Sequence, residues 1–217
     1  MATIAVLGGT GYAGRHIVAE AVRRGHTVLS VARTAPSERV EGATYIEASL
    51  LDVPDLATQL TGADVVVSAI APRGDMLGQV RSNLRALFSV LPDDVRVGVI
   101  GGAGGSLAAP GGPRVVDGDF PEEFKPEALE AIGVLEDLQA DDLGAEESGR
   151  DWFYIHPAGG FGAWNPGERT GHYRDGGDVI VTDDAGESFI SGADLGVAVV
   201  DEIENPKHSH ERFTVGY

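Results

Sequence analysis

The amino-acid sequence predicts an α/β fold: one domain over residues 1–217, a doubly wound parallel sheet in which residues from about 157 onward add a small C-terminal lobe. Three observations carry that expectation. The opening stretch reads as strand, glycine turn, helix and second strand within about thirty residues, the parallel crossover unit. Short apolar runs then alternate with stretches of helical period along the rest of the chain. One run, Asp64-Val65-Val66-Val67-Ser68-Ala69-Ile70, is apolar at nearly every position, as a strand covered on both faces must be.

The first strand, Thr3 to Leu7, is uncharged and leads into three glycines spaced three apart, Gly8, Gly11 and Gly14. Gly8 permits a tight turn, Gly11 lets backbone approach a ligand with no Cβ in the way, and Gly14 lets the helix lie close on the strand. The open N–H groups of the first helical turn, together with the helix dipole, favour an anion. A dinucleotide diphosphate fits this spacing, so Gly8, Thr10, Gly11, Tyr12, Ala13 and Gly14 are candidate cofactor-binding residues. An ordinary strand-to-helix turn fits it too.

Ile17, Val18, Ala21 and Val22 share a helical face, and Gly25 stops that helix after Arg23-Arg24. The second strand runs from His26 to Ala32. Its last residue lies beside the adenosine ribose in such folds, where NAD sites usually place Asp or Glu. Here the chain has Ala32-Arg33-Thr34, with no carboxylate to repel a 2′-phosphate and a guanidinium to pair with one. A charge-assisted bond contributes about 1.5–3 kcal/mol, so NADP is favoured. Arg39 can add to this, and Arg33 can equally be a solvated strand-end residue.

Ala43 to Glu47 reads as a third strand. Asp52 then has two open roles, accepting from an adenine amino group or capping the helix begun by Pro54. Leu56 and Leu60 of that helix face inward, and Gly62 ends it. The fourth strand closes on Ala69-Ile70-Ala71-Pro72, and ligands lie beyond the carboxyl ends of such strands, so Ala69, Ile70 and Ala71 are candidate cofactor contacts. Leu77, Val80, Leu84, Leu87, Phe88 and Leu91 commit one side of a long helix to the core, leaving Arg81 and Arg85 on other faces.

Val95 to Ile100 is the fifth strand. It opens into Gly101-Gly102-Ala103-Gly104-Gly105-Ser106 and a Gly- and Pro-rich loop to about residue 119, a length that is often functional. Pro126 starts a helix expected over Glu127 to Glu147, with Leu129, Ile132, Leu135 and Leu138 inside. Asp151 to His156 is the sixth strand. Phe161, Trp164 and Tyr173 lie in or near the Gly-rich segment that follows, where they can wall a planar substrate or pack the lobe. Asp178 to Thr182 and Ser188 to Ile190 read as short strands, Ser191 caps a helix with Asp194 at its third position, and Arg212 to Val215 is the final strand.

Composition narrows the partners. Sixteen basic against thirty-four acidic residues leave a net charge of −18, which opposes nucleic acid and anionic membrane. There is no cysteine for a disulfide, thiolate metal site or nucleophile, and the acidic residues show no metal-ligand spacing. No apolar run is long enough to cross a bilayer, and the chain enters its first strand with no basic leader. These features fit a soluble cytoplasmic protein, monomeric or homodimeric, acting on a small molecule.

Taken together, these motifs resemble the atypical short-chain dehydrogenase/reductases, which have the Rossmann fold. The likeness is to their NAD(P)H-binding group labelled NADH-flavin reductases, and more distantly to biliverdin reductase B and NmrA-like proteins. It rests on the opening glycine turn, on Ile100-Gly101-Gly102-Ala103-Gly104-Gly105-Ser106-Leu107, on Asp183-Asp184-Ala185-Gly186-Glu187-Ser188, and on Arg212-Phe213-Thr214-Val215. The resemblance implies an oxidoreductase with a substrate-side lobe, and it places Ser106 where the family carries a serine, able to bond a substrate carbonyl or its own backbone. His156 can donate a proton near neutral pH or be a structural strand-end group.

One departure is informative. Ordinary short-chain dehydrogenases use Tyr-x-x-x-Lys, but four residues before Lys125 stands Pro121 and four before Lys207 stands Ile203, and there is no other lysine. Hydride transfer to an electron-poor flavin such as FMN or FAD, or to a quinone, needs least help from such a pair. A non-catalytic NADP-sensing regulator is the competing class, and a nucleotide-sugar epimerase or dehydratase is disfavoured.

Overall fold

The computed structural model describes residues 1–140 and 149–217. Eight strands form one sheet: β1 (Thr3–Leu7), β2 (Thr27–Ala32), β3 (Ala43–Glu47), β4 (Val65–Ser68), β5 (Arg96–Ile100), β6 (Trp152–Pro157), β7 (Arg174–Asp175) and β8 (Glu211–Gly216). Their order across the sheet is β3-β2-β1-β4-β5-β6-β8-β7, and only β7 runs antiparallel. This is the Rossmann arrangement, with the chain reversing its direction of growth between β1 and β4.

The helices are α1 (Tyr12–Arg23), α2 (Val53–Gln59), α3 (Val80–Val90), α4 (Lys125–Gln139) and α5 (Gly192–Glu204). Successive strand residues point to opposite faces, so β1 feeds two cores. Ala5 and Leu7 join Leu56, Leu84 and Leu135 under α2, α3 and α4. Ile4 and Val6 join Ile17, Leu195 and Val199 under α1 and α5. No helix among the described residues is long and apolar enough to cross a membrane.

Several sequence expectations shift. Leu77 is 44% exposed because it precedes α3, whose buried stripe starts at Val80. Leu129 is 50% exposed. A run spaced by threes drifts around a 3.6-residue helix, placing Leu129 about 180° from the buried Leu138. The helix expected to reach Glu147 is described to Gln139, and 141–147 lie outside the described residues. Asp178–Thr182 and Ser188–Ile190 are not strands. Their backbone is tied instead by an isolated bridge around Leu107, whose N–H donates to the Asp178 carbonyl (2.8 Å) and whose carbonyl accepts from Ile180 N–H (2.9 Å), and by Gly160 N–H to the Ser188 carbonyl (2.7 Å) and Tyr217 N–H to the Phe189 carbonyl (3.0 Å).

Two buried charges organise the ends of the sheet. Asp194 donates its backbone N–H to the capping Ser191 Oγ (3.0 Å), and its carboxylate accepts from the Thr170 N–H (2.8 Å), Gly171 N–H (2.7 Å) and Tyr217 hydroxyl (2.5 Å), which anchors the loop after β6 onto α5. Burial alone would raise its pKa, but the Tyr217 and Thr170 hydrogen bonds hold it below the usual carboxylate range. At the opposite end Arg150, 1% exposed, donates to the carbonyls of Leu91 (2.8 Å), Val95 (3.1 Å) and Pro92, which close α3 and open β5. Arg150→Met should therefore strand three carbonyls and lower the unfolding free energy in urea by about 3 kcal/mol or more. A loss below about 1 kcal/mol would show that water replaces the guanidinium.

Candidate functional site

The glycine turn is built around one carbonyl. Gly8, at φ +74°, ends β1, and a Cβ on Gly14 would lie 2.1 Å from the Gly8 oxygen, so only glycine lets α1 come this near. The N–H groups of Gly8 and Gly9 both donate to the Val31 carbonyl, at 2.9 and 3.1 Å, tying the turn to the end of β2. Gly11 caps α1 without a side-chain bond, and the first turn holds no acidic residue. The first intrahelical bond is Arg15 N–H to the Gly11 carbonyl at 2.9 Å. The N–H groups of Tyr12, Ala13 and Gly14 thus have no helical partner and suit an anion. This cradle, which a Cβ would fill, fits a dinucleotide diphosphate.

A cleft of about 530 Å³ runs from the turn along the carboxyl ends of β1, β2 and β4. Gly8, Thr10, Gly11, Tyr12, Ala13, Arg33, Ala69, Ile70 and Ala71 all line it, so nearly every residue singled out for a cofactor meets there. Gly14 lies beneath, packed on the turn. Asp52 is not on the wall. Its Oδ1 accepts from Asp55 N–H at 3.3 Å, making it the α2 cap, while Ala48 and Leu50 take the wall. Arg39 stacks on Tyr45 at 5.2 Å and stays off the cleft lining.

Arg33 is 52% exposed and ion-paired with Asp75, which is 67% exposed. The guanidinium holds the Asp75 carboxyl below its ordinary range. Sequence inspection could not reveal this pairing, because it joins the end of β2 to a 3₁₀ turn (Gly74–Met76) forty-two residues away.

A second cleft of about 490 Å³ adjoins the first, sharing Ala13, Ala69, Ile70, Ala71, Arg73, Phe161 and Trp164 as a common wall. α3, α4, Phe120 of the long loop, and the ends of β5 and β6 with the 101–104 turn supply its other sides. Tyr154 lies at its floor, its hydroxyl donating to the Ala131 carbonyl at 2.9 Å, and burial pushes its pKa upward. Phe161 packs on Tyr12 with ring centroids 5.2 Å apart, and the Tyr12 hydroxyl donates to the Pro166 carbonyl at 3.1 Å. The lobe is thereby fixed to the glycine turn. Tyr173 is elsewhere, its hydroxyl 3.1 Å from Asp201, so Phe161 and Trp164 alone of the three aromatics reach the clefts.

Ser106 and His156 are placed differently from the expectation that they face a substrate. Both are fully buried, and neither lines either cleft. His156 Nδ1 lies 2.8 Å from the Gly102 carbonyl, which only accepts, so Nδ1 carries the proton and Nε2 is an acceptor. Burial, the largest influence, lowers its pKa to about 4, leaving it neutral near pH 7 and unsuited to donate as an imidazolium. Gly105 packs so close that a Cβ there would lie 2.5 Å from the imidazole Cε1. Side-chain burial of this kind has no signal in a strand-end His-Pro pair.

The depressed pKa has a thermodynamic consequence. An unfolded histidine titrates near about 6.5, so folding that keeps His156 neutral is fully favoured above that pH and loses stability as pH falls toward 4. His16, also lowered by burial, acts in the same direction. Wild type should lose more of its urea midpoint between about pH 7 and 5 than His156→Asn, which keeps a donor for the Gly102 carbonyl. Equal losses would remove His156 as the responsible group.

Known proteins share this fold. The uncharacterized protein YwnB of Bacillus subtilis (strain 168) is 35% identical, covering 98% of this chain and 97% of its own length. The crystal structure of a proposed NADH-flavin reductase from Streptococcus pneumoniae TIGR4 superposes with a TM-score of 0.83 at 32% identity, over 100% of this chain and 99% of that one. A proposed exported protein from Burkholderia pseudomallei gives a TM-score of 0.82 at 34% identity, over all of both chains. The model of the NAD(P)H-binding family matches residues 8–206, from the first glycine of the turn to the proline after α5, and the chain belongs to that family.

Proposed function

We propose that the protein is an NADPH-dependent reductase of a planar acceptor, a flavin, a quinone or a similar ring, working without a Tyr-Lys pair. The observation that carries this reading is the junction of the two clefts, where a dinucleotide cradle opens past Ala69–Ala71 into a second, ring-sized space. Bound NADPH supplies a hydride, two electrons and one proton, and the acceptor takes its second proton from water. The chain's part is to hold and orient. The backbone of Tyr12, Ala13 and Gly14 binds the diphosphate, Phe161 and Trp164 wall the junction, and the apolar lining excludes water.

Arg33 supports the phosphorylated cofactor, and Asp75 modulates it. With no carboxylate at the end of β2, the guanidinium is the group placed to meet a 2′-phosphate. Asp75 engages one of the guanidinium nitrogens, Nη1, and its carboxylate opposes a second anion beside Arg33.

Steady-state oxidation of NADPH with FMN, FAD and quinones tests the reaction, and absence of turnover with all of them would contradict it. Arg33→Ala should weaken NADPH by about tenfold to a hundredfold and leave NADH unchanged, as the loss of one charge-assisted bond requires. Asp75→Asn should strengthen NADPH by a few fold. Equal losses for both cofactors in Arg33→Ala would count against the assigned preference.

A further inference from the structure

The reductase reading leaves flavins and quinones on equal terms, and the walls of the second cleft separate them. Val80 and Leu84 of α3, Phe120 and Pro121 of the long loop, and Ala128 and Ala131 of α4 are all apolar. Tyr154 offers its ring and no free donor, since its one hydroxyl proton is given to the Ala131 carbonyl. Two charged side chains reach the lining, Arg73 and Glu127, and they close on each other: Nε to Oε2 at 3.1 Å and Nη2 to Oε1 at 2.5 Å. The guanidinium that would serve an anionic ligand is therefore already neutralised.

A phosphate monoester carries a charge of about −1.5 to −2 near neutral pH. To approach this cleft it must open the Arg73–Glu127 pair or lie beside the Glu127 carboxylate, within a chain of net charge −18. A neutral ring meets neither cost and covers the apolar walls. We infer that the second cleft takes a neutral, largely apolar ring, a quinone or a bare isoalloxazine, and turns away phosphorylated flavins, with Glu127 setting this selectivity by holding Arg73. That the ring is a hydride acceptor rests on the reductase reading; the binding preference does not. A quinone so bound would gain one hydride and one solvent proton to become the hydroquinone, as NADPH becomes NADP⁺.

The test is calorimetric titration with menadione, lumiflavin and FMN, on the protein alone and on protein saturated with NADP⁺, which cannot donate hydride. Emission of Trp164, on the wall of both clefts, provides a second readout, with Trp164→Phe as the control. Menadione and lumiflavin should bind at least about tenfold more tightly than FMN, a difference of about 1.4 kcal/mol. Glu127→Gln, which frees Arg73, should narrow the gap between lumiflavin and FMN several-fold. Ala128→Phe should fill the cleft and remove both neutral ligands while NADP⁺ still binds, since Ala128 lies outside the first cleft. FMN binding as tightly as lumiflavin, or neutral rings binding undiminished in Ala128→Phe, would overturn the inference. Preferential binding of neutral rings with no NADPH oxidation by any acceptor would sink the reductase reading and leave the cleft's selectivity standing.

Discussion

The approach of α1 to the end of β1, made possible because Gly14 has no side chain to strike the Gly8 carbonyl, is the constraint on which the rest of the structure depends. It sets the first helical turn directly above the carboxyl end of the sheet, at the point where the strand order reverses between β1 and β4. It also leaves the N–H groups of Tyr12 and Ala13 at the cleft, with Gly14 and its unpartnered N–H directly beneath. The lobe after β6 closes on this same turn through Tyr12, whose ring meets Phe161 and whose hydroxyl accepts from Gly192 N–H at 3.2 Å. Cradle, junction and lobe are thus one mechanical unit.

Backbone donors matter here because the chain is so acidic. With a net charge of −18, any anion enters against the background field, and most arginines already serve carboxylates or carbonyls. Glu20 takes Arg23, Arg24 and Arg169; burial raises its pKa, but the arginine hydrogen bonds outweigh that and hold it down to about 2. Arg96 is held by Glu202 at 2.7 Å, and Arg150 by backbone carbonyls. Arg33 and Arg73 reach the clefts, each already paired with a carboxylate, so the backbone donors of the glycine turn are the site's uncompensated anion-binding groups. A neutral acceptor beside an anionic cofactor is the arrangement such a surface tolerates best.

Much of the fold was legible in the sequence because its signals are local. The glycine spacing, the apolar run of β4, the helical stripe of α1, that of α3 from Val80 onward and the Ser191–Asp194 cap each depend on residues a few positions apart, and each is present in the fold. What was not legible depends on long-range placement. The open choice for Asp52 is resolved toward capping by a neighbour three residues away, whereas Asp75 reaches Arg33 only because two loops converge above the sheet. Ser106 and His156 sit at chain positions typical of active sites, yet the Gly102–Gly105 turn folds over them and buries both. Asp178–Thr182 and Ser188–Ile190 read as short strands, but their backbones bond to isolated partners such as Leu107 and Tyr217, so they cross the lobe as loop.

The central claim is that backbone N–H groups at the start of α1 clasp the dinucleotide diphosphate. Titration of ¹⁵N-labelled protein with NADP⁺, following individual amide resonances, tests it most directly. The account predicts that the amides of Tyr12, Ala13 and Gly14 move first and furthest, with Arg33 responding to NADP⁺ and not to NAD⁺. Saturable binding that leaves those three amides in place, or no association at millimolar cofactor, would contradict it.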